Sequence, residues 1–166
     1  MIDIIPNWHP VFVHFTIALY TTAAMLFAVH IGIAKISWGG VALTAARVNL
    51  WLGAAVTIVT VAAGIQAFLS VPHSEAQAAL MVDHRNWAIT TAIIWWIAAL
   101  WTAWSARRNQ RGQYALIVML AAAMIPLLVT AWKGGELVYR HGVGVIATRT
   151  EAAAATGGTT RQHITD

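Results

Sequence analysis

Residues 113–133, QYALIVMLAAAMIPLLVTAWK, contain a single formal charge, Lys133 at the very end. About 20 consecutive apolar residues carry an α-helix across a hydrocarbon core of about 30 Å. Three further runs of this kind precede it, at about 10–34, 48–71 and 86–106. A backbone in lipid must satisfy its own N–H and C=O groups, and four separate apolar runs do so as helices. The sequence therefore predicts an all-α, four-transmembrane-helix bundle over residues 1–147. Composition agrees: of 166 residues, 59% are hydrophobic and 10% are charged, whereas a soluble domain has about 25% charged.

Local signals mark the ends of the spans. Pro10 suits the start of the first helix, where its missing N–H would have no partner, and Asp3 with no basic n-region argues for a retained helix over a cleaved signal. Ser37-Trp38-Gly39-Gly40 turns the chain, and Pro72 ends the second span. Gly53, Gly64 and the alanines around them allow close helix approach. Ser74-Glu75-Ala76-Gln77 has the form of a capping box. It predicts a short interfacial helix to about Met81, with Asp83 then capping the third span. Pro126 predicts a kink in the fourth helix, which projects beyond the hydrocarbon to about His141. Adjacent Gly134 and Gly135 predict close approach of another backbone or a flat ring. Trp95 and Trp96, near mid-membrane, are expected to pack on helices or on a flat ligand. From Thr148 the chain turns to Ala, Thr and Gly, and residues 148–166 read as a flexible tail.

Charge sets the orientation. The loops after the first and third spans hold Lys35, Arg47, Arg107, Arg108 and Arg111 and no acid. The positive-inside rule places them in the cytoplasm. Both termini are then periplasmic, in a bacterial inner membrane. The net charge of +4 reflects these loops; no aromatic-interleaved basic stripe points to nucleic acid.

Five of the seven histidines, His9, His14, His73, His84 and His141, map to the non-cytoplasmic end. Ionisable groups at membrane depth are costly unless they face the bundle interior and find partners. His9 and His14 are separated by about 140° around a helix, so they do not share a face. Two imidazoles on opposite helices of a bundle supply the axial pair of a haem iron. The expected ligands are His14 and His84, with His9 and His141 in supporting or alternative places. Arg85, Lys133 and Arg140 are candidate partners for haem propionates. A zinc or copper site of three imidazoles is the alternative. With no cysteine, thiolate-held clusters are excluded.

The stretches Asn7-Trp8-His9-Pro10-Val11-Phe12-Val13-His14-Phe15-Thr16-Ile17-Ala18-Leu19 and Gly134-Gly135-Glu136-Leu137-Val138-Tyr139-Arg140-His141-Gly142-Val143-Gly144-Val145, with His84 opening the third helix, resemble a bacterial four-helix membrane family, domain of unknown function 2231. That family begins on His-Pro-x-x-Val-His-Phe-Pro-Ile-Ala-Leu. Thr16 stands where it usually has proline, which is expected to leave the first helix straighter. Members are sometimes fused to Rieske iron-sulfur domains, and the resemblance implies a link with electron transfer.

These readings combine into one expectation. The chain is a b-type cytochrome-like electron-transfer subunit with haem b near the outer face, without independent catalytic activity. Its partners are the lipid bilayer, other membrane or periplasmic redox proteins, the quinone pool and further copies of itself. A non-catalytic anchor or assembly subunit of a redox complex is the second reading.

Overall fold

The computed structural model describes residues 7–105 and 111–145, with side chains placed for 7–104 and 115–145. Asp3, Arg107, Arg108, the expected tail from Thr148 and His163 lie outside the described residues, as does the side chain of Arg111. Four helices follow one another: α1 (His9–Ile33), α2 (Trp38–Ser70), α3 (Glu75–Ser105) and α4 (Arg111–Tyr139). All four are long and apolar enough to cross a membrane. Even the shortest, α1 with 25 residues, exceeds a hydrocarbon thickness of about 30 Å at about 1.5 Å per residue.

Each helix lies beside its neighbours in the chain, α1 most closely on α2 and α3 on α4, and α4 closes back on α1. The core is made where small residues let large ones in. Tyr20 sits against Gly53, where an added Cβ would come within 2.7 Å of its ring. Trp95 and Tyr20 are completely buried and stack across the bundle, and Leu50 and Leu120 fill the space around them. Most other large apolar side chains point outward, as expected when the surroundings are lipid. Exposed Trp8 and Trp132 stand at one end of the bundle and exposed Trp38 and Trp104 at the other, the two interfacial levels that tryptophan favours.

Two local expectations are changed by the structure. Helix α2 begins at Trp38, ten residues before the apolar run, because nothing between Gly40 and Asn49 breaks a helix. The expected interfacial helix is the first part of one continuous α3: Val82 and Asp83 carry no breaking signal, so Asp83 is a mid-helix residue and caps nothing. Pro126 lies inside an unbroken α4. The capping box itself forms as read, Ser74 N–H donating to Gln77 Oε1 at 2.8 Å and Gln77 N–H to Ser74 Oγ at 3.3 Å.

At the end of the bundle away from most of the histidines, His30 is buried and its Nδ1 lies 2.8 Å from the Gly39 carbonyl. Gly39 packs on the end of α1 so closely that a Cβ would stand 2.5 Å from the Ile33 carbonyl oxygen. The histidine thus fastens the turn between α1 and α2.

Candidate functional site

The opposite end gathers the chemistry. His9 opens α1, and its imidazole turns toward α2, with Nδ1 3.0 Å from the Thr60 carbonyl. The contact requires Gly64: a Cβ there would lie 3.0 Å from His9 Cε1. One turn deeper on this interface, the hydroxyls of Thr16 and Thr60 meet at 2.7 Å. His9 therefore has one ring nitrogen directed at a carbonyl and the other unengaged by the protein.

His84 lies nine residues into α3, about 13 Å along it, and turns toward α4. Its ring packs on Gly134, where a Cβ would lie 3.1 Å from Cε1. The flat ring expected at Gly134-Gly135 is thus the imidazole of His84. Nδ1 of His84 is buried and has no hydrogen-bond partner. Below it, the hydroxyls of Thr91 and Thr130 meet at 2.8 Å. The two imidazoles stand at the same end of the bundle, each turned onto the neighbouring helix of its own hairpin.

The remaining candidates are arranged around this pair. His14 is on the exposed side of α1, its Nδ1 turned back to the Pro10 carbonyl. His9 and His84 both turn inward at this end, each onto the neighbouring helix, whereas His14, expected from the sequence as the partner of His84, stands on the outward side of α1. His141 is exposed beyond α4; its carbonyl accepts from Gln77 Nε2 at 2.6 Å, which ties the α4 exit to the start of α3. His73 Nδ1 lies 2.7 Å from the Val71 carbonyl in the α2–α3 turn. Among the described residues no three His, Cys, Asp or Glu side chains come together as a metal cluster, so the three-imidazole arrangement is not present there.

The basic residues at this end are already engaged. Lys133 pairs with Asp83, joining α4 to α3 next to His84. Arg140 pairs with Glu136 one turn away at 2.8 Å. The Arg85 guanidinium lies 5.3 Å from the centroid of the Phe68 ring, a cation–π contact between α3 and α2. Gly142 and Gly144 take positive φ, 63° and 77°, and turn the chain after α4 in a way only glycine does readily.

Thr60, Gly64 and Thr130 were not singled out by sequence reading as parts of the site. Their signal was available: a threonine four residues before a glycine occurs at the outer end of both α2 and α4.

No curated protein and no solved structure matches this chain. A family model, described as a predicted membrane protein, matches residues 6–147, which takes in all four helices, both histidine-bearing motifs and the paired imidazoles. With the bundle, the end motifs and that match in agreement, the chain belongs to the membrane-protein family called domain of unknown function 2231.

Proposed function

We propose that the protein is a membrane-embedded, b-type cytochrome-like electron-transfer subunit, with haem held by histidine at the periplasmic end of the bundle in a bacterial inner membrane. One observation carries the reading: helices from two different hairpins turn imidazoles inward at the same end, His9 with Nδ1 on a backbone carbonyl and His84 with a buried Nδ1 that no protein group satisfies. A histidine whose other nitrogen faces a backbone carbonyl has its tautomer fixed and its ligating nitrogen made more basic, the usual setting of a metal-bound imidazole. Lys133 and Arg85 stand on the same rim and suit propionate carboxylates. A bound haem would supply a one-electron iron centre. The residues of this chain would fix its orientation and keep water from its buried edge.

A shallow apolar groove lined by Trp8, Phe12, Val59, Ala62, Ala63 and Gln66 opens to the lipid side next to His9. It favours exchange with a membrane-soluble carrier of the quinone class. A periplasmic redox protein is the natural acceptor at that face.

The test is the absorption spectrum of the full-length protein, purified in detergent from cells supplied with haem precursor. A Soret band, with an α band on dithionite reduction, is the expected result. A colourless protein, with no spectral change on addition of haemin, overturns the reading.

A further inference from the structure

The two halves of the bundle repeat one another. In α1, Thr16 lies seven residues after His9; in α3, Thr91 lies seven after His84. In α2, Gly64 lies four residues after Thr60; in α4, Gly134 lies four after Thr130. The contacts repeat as well as the spacings. Each histidine ring rests on its glycine, at 3.0 Å and 3.1 Å from an added Cβ, and each pair of threonine hydroxyls meets, at 2.7 Å and 2.8 Å.

The correspondence continues inward. Tyr20 and Trp95 are each eleven residues beyond their histidine, and both are fully buried. These equivalent residues stack on each other, with ring centroids 4.2 Å apart. Equivalent residues touch one another only near an axis of symmetry. Because α1 and α3 run the same way, that axis is parallel to the helices and to the membrane normal, the arrangement of a parallel internal repeat.

We infer that the chain is two copies of one helical hairpin about a pseudo-two-fold axis, and that His9 and His84, equivalent residues on either side of it, are the trans axial ligands of a haem iron. This assignment rests on the function proposed above and names its ligands. A six-coordinate haem iron has two equivalent axial positions, so a two-fold arrangement of imidazoles fits it, whereas a tetrahedral metal needs two further ligands that the described residues do not bring together. The site also bridges the seam between hairpins, where helix packing is sparser than within them. His14 has no counterpart in this scheme: the equivalent position of α3 is Ile89.

The experiment uses the full chain in detergent with haemin as the probe and reads the ferric spin state by electron paramagnetic resonance. The expected result is a low-spin bis-imidazole signal in the native protein. It is lost in His9→Ala and in His84→Ala, to high-spin or haem-free protein, and kept in His14→Ala. Loss in His14→Ala with retention in His9→Ala overturns the ligand assignment and leaves the haem reading standing. As a check independent of haem, His9→Cys with His84→Cys is treated with a bifunctional thiol cross-linker long enough to replace two imidazoles and an iron between them. The chain has no native cysteine, so a linked pair of peptides in the mass spectrum identifies the contact. Failure to link overturns the paired geometry whatever the spectrum. Linking in the double-cysteine variant, with no haem uptake by the native protein, overturns the ligand and the proposed function together.

Discussion

The indole of Trp95 lies on the phenol ring of Tyr20, with centroids 4.2 Å apart and planes inclined by 14°. Tyr20 is also held from behind, its hydroxyl 2.8 Å from that of Thr57, while Nε1 of Trp95 has no hydrogen-bond partner. The ring of Trp95 matters here, and its N–H does not. Trp95→Phe, which keeps a six-membered ring on Tyr20 but leaves a void where the pyrrole ring was, is expected to cost less than Trp95→Ala, itself about 3–5 kcal/mol as a cavity at a fully buried site. Reversible unfolding in mixed detergent measures both; equal losses would refute the stacking account.

Gly64 and Gly134 are predicted to resist substitution in parallel. An added methyl meets an imidazole at 3.0 Å or 3.1 Å, so each alanine variant is expected to lose about 1–3 kcal/mol through forced displacement of the ring. Gly40 is the control. A Cβ there has open space within 4 Å, and Gly40→Ala is expected to stabilise α2 by about 0.5–1 kcal/mol. Thermal unfolding of the three variants side by side checks the contrast.

His30 is predicted to be structural. Its removal deletes one buried hydrogen bond that ties α1 to the start of α2, and His30→Ala should lose about 0.5–1.5 kcal/mol for that bond. The same variant is expected to leave haem uptake and spin state as in the native protein, because the residue stands at the far end of the bundle. Any change of haem spectrum in a folded His30→Ala protein would contradict this.

The Lys133–Asp83 pair crosses from α4 to α3, but its side chains are 24% and 50% exposed. Solvent screening limits an ion pair of this kind to about 1 kcal/mol or less. A double-mutant cycle with Lys133→Met and Asp83→Asn should return a coupling in that range, smaller in high salt. A coupling of several kcal/mol would show that the pair is effectively desolvated.

Much of the fold is legible in the sequence because lipid simplifies the problem. Four apolar runs of membrane-crossing length have one backbone solution, and the boundary signals at Pro10, Pro72 and Ser74-Gln77 act locally. The exceptions follow from the same physics. Helix α2 extends well before its apolar run and α3 passes through Asp83, since hydropathy locates the membrane and says nothing of where a helix stops outside it. Of the site, the sequence showed that histidines collect at one end and that Gly134-Gly135 would receive either another backbone or a flat ring.

Which histidine turns inward was beyond it. His9 and His14 are five residues apart on one helix, so when one faces the bundle the other faces outward. Polarity alone does not choose between them. The choice belongs to α2, where the Thr60 carbonyl receives His9 and Gly64 leaves room for its ring. The repeat was present in the sequence as spacings of seven and four, but too few identical residues mark it for periodicity to show. The sequence by itself determined four membrane helices and a histidine-rich end. Tertiary packing decided that His9 and His84 turn inward, because only the facing helices supply the Thr60 carbonyl and the missing side chains at Gly64 and Gly134 that make room for the rings.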